Sequence, residues 1–315
     1  MSSRKFFGIY NPNARGGRTK KFSQKIGKAF AEYGIDHRIE SSNSVEDAYT
    51  KLQNAVNEKY DTLFAIGGDG TAHHVANIAI ENNLTFAVVP GGSGNDFAAN
   101  FGLSNDIDNS IETLLHGKEI ITNTIKSSSS KGEFWTINVA DVGMGAKVSH
   151  AAERRLKWMA GKIKYDLIAT WEILRHNPVR CRVRLDGKEE ELEFHMIIAG
   201  LGQTAGSGMN FFPDVRFNHD TMQGGIIQTN CSRPQLLRGL QKVRKAQHKE
   251  LDYIRMFRAK TIEVESLGEE IMIESEGELR GTTSFKMEVV KDRFKLLVPS
   301  SYNFDQTSLL GANQM

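Results

Sequence analysis

The stretch Ala65-Ile66-Gly67-Gly68-Asp69-Gly70-Thr71 decides the fold. An apolar run from Asp61 to Ile66 stops abruptly at two glycines, an aspartate, a third glycine and a threonine. A strand that ends in such a loop and opens a helix presents bare backbone N–H groups and a helix N-terminus, a device suited to anions and above all to phosphate. Asp69 in the middle would repel phosphate unless a cation lay between them. The loop therefore predicts a nucleotide phosphate chain and a divalent metal together. Glycines also make ordinary tight turns, but a second loop of the same kind argues against that reading here.

The second loop is Pro90-Gly91-Gly92-Ser93-Gly94-Asn95-Asp96-Phe97, after the apolar run Phe86-Ala87-Val88-Val89. That run reads as a buried parallel strand. The loop opens a helix, with Asn95 or Asp96 as its N-cap. A third loop, Asn11-Pro12-Asn13-Ala14-Arg15-Gly16-Gly17, follows the strand Phe6 to Tyr10. Ligands of open parallel sheets bind at the carboxyl ends of the strands, so three polar glycine loops at three such ends point to one crevice.

With 315 residues the chain exceeds the usual single domain, and two domains are expected. A formal charge of +2 argues against a general nucleic-acid binder. The two cysteines, Cys181 and Cys231, have no metal-ligand spacing and fit a reduced cytoplasmic setting. The N-terminus shows no signal-peptide pattern, and no apolar run approaches the ~20 residues of a membrane-spanning helix. Contact with a membrane surface, at the inner face of the membrane, stays open. So does the oligomeric state, with a homodimer compatible.

Up to about residue 123, strand and helix alternate, which gives a parallel sheet covered on both faces. Phe22, Ile26 and Phe30 mark a first helix, and Val45, Ala48, Leu52 and Val56 a second. The polar run Ser127 to Gly132 is either a domain linker or a hairpin turn. Beyond it, strands are expected at Phe134 to Ala140, Arg180 to Leu185, Glu191 to Ala199, Gly225 to Thr229, Thr261 to Glu265, Ile271 to Ser275, Phe285 to Val290 and Phe294 to Val298. Helices are expected from Glu153 to His176 and from Pro234 to His248. Many short strands joined by turns suggest an antiparallel sandwich.

At these residues the chain resembles the lipid kinases that share a diacylglycerol kinase catalytic domain, including sphingosine and ceramide kinases and their bacterial relatives. Gly67-Gly68-Asp69-Gly70-Thr71 resembles that family's nucleotide loop. Asn11-Pro12 with Gly16-Gly17 resembles its first loop, and Pro90 to Phe97 its second phosphate loop, with Ser93 where threonine is usual. The resemblance continues through Asn138 to Val148, Gly206-Ser207-Gly208-Met209, Phe212-Pro213-Asp214 and Glu276-Gly277-Glu278, and so spans Phe6 to Pro299. It implies a Rossmann-like parallel-sheet α/β domain for ATP, residues 1–123 joined by a C-terminal strand in 291–315. An antiparallel β-sandwich for the lipid acceptor, residues 124–290, follows, with the active site in the cleft between them.

The same resemblance implies the roles. The amides of Gly67, Gly68, Gly70, Thr71 and Gly92 hold the ATP phosphates, while Asn11, Ser93 and Asn95 add side-chain hydrogen bonds. Asp69 acts in catalysis by holding Mg²⁺, and Asp220, once a residue is inserted, aligns loosely with an aspartate at a structural Mg²⁺ or else lies in a surface turn. Glu276 is the base that accepts the proton of the lipid hydroxyl, and Glu278 contacts the nucleotide or its metal. Without the resemblance, Glu276 and Glu278 would read equally well as a solvated strand end. Three residues depart from the family pattern: Glu276 for its aspartate, His74 for a glutamate, and Gly145 for an aspartate. These leave a kinase with a retuned acceptor site, which we favour, or a nucleotide-binding chain that transfers poorly.

His73 and His74 point about 100° apart on a helix and do not form a metal pair. Leu156, Met159, Ile163, Leu167, Trp171 and Leu174 line one face of the Glu153 to His176 segment. With Arg154, Arg155, Lys157, Lys162, Lys164 and Trp158, that segment reads either as a core helix with a solvated basic face or as a helix resting on an anionic membrane. The expected activity is an ATP- and Mg²⁺-dependent phosphorylation of a hydroxyl on diacylglycerol, a sphingoid base or a related lipid. The alternatives are an NAD kinase-like enzyme and a catalytically weak nucleotide- or lipid-binding regulatory protein.

Overall fold

The computed structural model describes residues 4–154 and 162–304. The chain forms two compact units, Met1–Thr122 with Asp292–Met315, and Asn123–Lys291.

In the first unit the order is β1 (Phe6–Tyr10), α1 (Arg18–Glu32), β2 (His37–Ser41), α2 (Val45–Asn57), β3 (Thr62–Gly67), α3 (Asp69–Glu81), β4 (Thr85–Pro90), α4 (Asp96–Ala99) and α5 (Ile107–His116). Strand β5 (Lys118–Ser129) then leads out of it. β2, β1, β3 and β4 pair in that order, all parallel. Every residue of β3 and β4 is buried, as a strand covered on both faces requires. The side chains of Phe22, Ile26 and Phe30 from α1, and Ile107 and Leu114 from α5, pack on one face against Phe6, Phe64, Ile66, Ala87 and Val89. An aromatic stack of Phe86, Phe97, Phe101 and Phe294 anchors α4 to the same unit.

The second unit is antiparallel. It contains β6 (Gly132–Thr136), β7 (Val139–Gly143), α6 (Met144–Arg154), α7 (Lys162–Arg175), β8 (Val179–Leu185), β9 (Lys188–Gly200) and the short pair β10 (Thr204–Ala205) and β11 (Met209–Asn210). Then come β12 (Met222–Gln228), α8 (Arg233–Arg244), β13 (Ile254–Ala259), β14 (Thr261–Ser266), β15 (Met272–Ser275), β16 (Glu278–Thr282) and β17 (Phe285–Val298). The strand order is β16-β15-β7-β9-β8-β14-β17, with β12 pairing both β9 and β13. The Asp186-Gly187 turn between β8 and β9 has φ of 49° and 82°, the left-handed pair that a two-residue hairpin needs.

Several elements differ from the sequence reading. The run Phe134 to Ala140 is two strands, β6 and β7, because the amides of Ile137 and Asn138 between them turn to a carboxylate rather than to a ladder. The Ser127 to Gly132 run is the β5–β6 hairpin, closed by Ser129 opposite Gly132. Phe285 to Val290 and Phe294 to Val298 are one strand. Its first half pairs antiparallel with β14, and its second half runs parallel beside β4. β13 and β16 have no counterpart in the sequence reading. The expected helix Glu153 to His176 falls on two elements, the end of α6 and α7, since Val148 and Ala151 of α6 pack against Ile168 and Ala169 of α7. Arg155, Leu156, Lys157, Trp158 and Met159 lie outside the described residues.

Candidate active site

β3 ends at Gly67 and α3 starts at Asp69, so the helix is capped by Gly68, a residue with no side chain to satisfy its first-turn amides. Those N–H groups have no intrahelical acceptor and carry the positive end of the helix dipole. The second loop lies against this one. A Cβ on Gly68 would stand 3.1 Å from the Gly92 Cα, and Gly91 N–H donates to the Gly67 carbonyl at 2.8 Å. Only glycine at both positions lets the two backbones touch.

Asn95 builds the second loop. Its backbone is left-handed at φ 60°, its Oδ1 accepts Gly92 N–H at 2.9 Å, and its Nδ2 donates to the Gly92 carbonyl at 3.0 Å and to Asn105 Oδ1 at 2.8 Å. Its polar atoms thus serve the loop itself. Asn105 was not singled out from sequence, because nothing local to it signals a brace for Asn95, ten residues upstream. Ser93 is exposed at the tip of the loop.

Asp69 reaches across. Its Oδ1 accepts Phe97 N–H at 3.0 Å, so a carboxylate from the first loop caps α4 of the second. Burial pushes the Asp69 carboxyl above its ordinary range, and the amides of Phe97, Asp96 and Asn95 oppose that shift. Asn11 is exposed and makes an Asx turn, its Oδ1 accepting Asn13 N–H at 2.9 Å. Its carbonyl holds the Thr19 hydroxyl at 2.6 Å. Asn11, Gly67, Gly68, Asp69, Gly70, Thr71, Gly92, Ser93 and Asn95 all belong to the first unit. His73 is buried and His74 half-buried, their rings edge to face.

Glu276, Glu278 and Asp220 belong to the second unit. Glu276 sits in the β15–β16 turn at φ 51° and is followed by Gly277 at φ 85°. Its side chain is buried rather than solvated. Oε1 accepts Ile137 N–H at 3.0 Å and Asn138 N–H at 2.8 Å, and Oε2 takes the Ser275 hydroxyl. Burial pushes the Glu276 carboxyl up to about 7, against the pull of Ser275, the two amides and Arg280. Glu278 opens β16 half-buried. Asp220 is exposed, and Lys291 bonds its Oδ2 and holds its carboxyl below the ordinary range. Among the described residues, no three His, Cys, Asp or Glu side chains converge as a metal cage.

A model of the diacylglycerol kinase catalytic domain matches residues 5–126. A model of the YegS C-terminal NAD kinase beta sandwich-like domain matches residues 138–298. The chain belongs to the diacylglycerol kinase-like lipid kinase family. This lipid kinase is 29% identical over 246 residues to a diacylglycerol kinase of Mycobacterium tuberculosis (strain CDC 1551 / Oshkosh), covering 75% of this chain and 76% of that one. It is 25% identical over 276 residues to a diacylglycerol kinase of Bacillus subtilis (strain 168), covering 87% and 89%. A crystal structure of a diacylglycerol kinase from Bacillus anthracis str. Sterne superposes with a TM-score of 0.69 at 19% identity, over 96% of this chain and 100% of that one. At that identity the likeness is one of fold.

The second unit of the lipid kinase holds two carboxylates that the sequence reading passed over, Asp141 and Glu274. Asp141 is the one charged residue in the buried strand Val139–Gly143, and that interruption of an apolar run was the available signal. Glu274 stands in the acidic stretch Glu274 to Glu278, which by itself suggests a solvated surface, yet it is buried.

Proposed function

We propose that the protein transfers the terminal phosphoryl group of ATP, with Mg²⁺, to a hydroxyl of a lipid such as diacylglycerol or a sphingoid base. The observation that carries the reading is the paired glycine loops with a side-chain-free cap on α3, a surface of main-chain donors shaped for a phosphate chain. Phosphoryl transfer asks chiefly for positioning and charge neutralisation. The loops of the first unit would supply the first, through the amides around Gly68 and Gly92.

Mg²⁺ keeps several waters and usually needs one or two carboxylates beside the phosphates. Asp69, half-buried with Phe97 N–H on one oxygen, fits that requirement; Asp220, paired with Lys291, does not. When bound, the ion would neutralise charge between the phosphates and Asp69. Glu276 would accept the proton of the attacking hydroxyl, and a carboxyl that titrates near 7 is matched to that work at neutral pH. Glu278, two residues on, would contact the nucleotide. Leu167, Trp171 and Leu174 on α7 are exposed. They would rest on the membrane that presents the lipid, making the contact peripheral and cytoplasmic.

The test is incubation of the purified protein with labelled ATP, Mg²⁺ and micelles carrying diacylglycerol or a sphingoid base, with NAD in a parallel reaction. Label in a lipid is expected. Label in NAD instead, or nucleotide binding with no transfer to any acceptor, overturns the assignment.

A further inference from the structure

We propose that Asp141 is a positioning residue for Glu276, acting as a neutral carboxylic acid that holds the Glu274 carboxylate, which in turn holds the Gly277 amide and fixes the turn carrying Glu276. The inference rests on Glu276 being the proton acceptor of the reading above.

Asp141 and Glu274 stand directly opposite each other on β7 and β15. Asp141 is 5% exposed and Glu274 8%, so neither reaches bulk water. Two ionised carboxylates only accept hydrogen bonds, so two of them side by side on paired strands in a dry site repel unless one carries a proton. A proton must therefore lie between them, as in any pair of carboxyl groups sharing a dry site. Burial and the Glu274 charge push Asp141 well up, which places the proton there. Oδ1 of Asp141 has no hydrogen-bond partner, which costs less for a neutral acid than for a carboxylate, and the Ala146 amide pulls the carboxyl the other way without overcoming burial.

The surroundings are built for this. On α6, a Cβ at Gly145 would stand 2.6 Å from the Asp141 Cγ, so the missing side chain is the space that the carboxyl occupies. From β9 the residue opposite Asp141 is Ile198, which is uncharged. Ser149 of α6 hydrogen bonds to Glu274, and Glu276 is the remaining charge close to it, itself answered by Arg280 of β16. Glu274 Oε1 accepts Gly277 N–H. Gly277 and Glu276 are both left-handed, a costly conformation for the glutamate that persists only when its neighbours hold it. The order of support is thus Asp141, Glu274, Gly277, Glu276.

A neutral donor can be replaced by an amide, whereas an ionised carboxylate cannot. Asp141→Asn and Asp141→Ala are compared in the full chain, first by amide hydrogen exchange at Gly277, which needs no substrate. Asp141→Ala is expected to speed Gly277 exchange at least tenfold, and Asp141→Asn to leave it within about threefold of wild type. Turnover follows the same order: kcat falls at least tenfold in Asp141→Ala with the nucleotide KM unchanged, and Asp141→Asn restores it. Unchanged Gly277 exchange in a folded Asp141→Ala overturns the chain of support, as does an Asp141→Asn variant as impaired as Asp141→Ala. If exchange behaves as expected while wild-type protein phosphorylates no lipid, the proposed function fails and the positioning of the turn stands.

Discussion

At the scale of single residues, burial raises the carboxyls of both Glu276 and Asp69, and the two differ in what their charge is for. Glu276 carries a carboxyl that burial raises to about 7, so the folded state binds its proton more tightly than the unfolded chain. The sign follows: its stabilising contribution is complete below the unfolded value, near 4.5, and is lost as pH rises through about 7. The loss is on the order of 3 kcal/mol. In Glu276→Gln, Oε1 still accepts both amides, yet the ionisation is gone. That variant should therefore unfold at a Tm equal to or above wild type at pH 8, while kcat drops about 10²-fold or more. Calorimetry beside a lipid-phosphorylation assay reads both, and a Gln variant with wild-type kcat removes Glu276 as the base. In the wild type, kcat/KM should rise with pH through about 7 as the base ionises. Asp69 is the complementary case, because its cap on Phe97 can be kept by an amide and its charge cannot. Asp69→Asn should hold stability within about 1 kcal/mol, the worth of one cap, and lose turnover. Wild-type rates in Asp69→Asn would mean that the residue only braces α4.

At the scale of elements, the sequence showed best what depends on local pattern. β3 and β4 read as buried strands because every residue is apolar or small, and the helices α1 and α2 follow from apolar spacing; Ser44 caps α2 by accepting Asp47 N–H, at 3.1 Å. What stayed hidden depends on distant partners. Phe134 to Ala140 looks like one strand until Glu276, which is 139 residues from Ile137 along the chain, takes two amides out of its middle. β17 looks like two strands because Lys291-Asp292-Arg293 is charged, though the strand passes through it from one unit to the other. The glycine loops were legible as loops at strand ends that open helices, but not the use of Asn95 to lock its own loop, since that needs Asn105 and Gly92 in place. The close approach of the loops gives a prediction at this scale. In Gly92→Ala the new Cβ would meet the Gly68 backbone, which cannot move aside, and would stand 2.9 Å from Asn95 Oδ1. Overpacking of this kind costs about 1–3 kcal/mol. Urea unfolding should show that loss, and a nucleotide titration should weaken at least tenfold; a titration that matches wild type would separate this loop from nucleotide binding.

At the scale of the whole molecule, the formal charge of +2 is too small for general attraction to an anionic surface, so any membrane affinity must be local. The described part of α7 shows what such a patch contains. Ile168, Ala169 and Ile173 are its buried residues, and the first two pack with Val148 and Ala151 of α6. Leu167, Trp171 and Leu174, spaced one and two turns apart, are 51%, 47% and 44% exposed, with the Arg175 guanidinium 4.2 Å from the Trp171 ring. The sequence suggested a choice between a core helix and a membrane helix; Ile168, Ala169 and Ile173 form a buried face of α7, while Leu167, Trp171 and Leu174, expected on one apolar face, are exposed. An exposed stripe of this size is unfavourable in water and becomes favourable where acyl chains can cover it. Truncating the largest of these side chains, in Trp171→Ala, should remove about 1–2 kcal/mol of partition energy, roughly tenfold in binding to vesicles rich in anionic lipid. The fold should persist, because Trp171 is half exposed and its ring stacks with Arg175 rather than sitting in the buried cluster of Ile168 and Ala169. Raising the salt should weaken wild type and variant by the same factor, since screening acts on the basic groups and not on the ring. Vesicle co-sedimentation across a salt series measures both. If Trp171→Ala binds as the wild type does, the lipid reaches the enzyme by another face and the stripe serves some other contact.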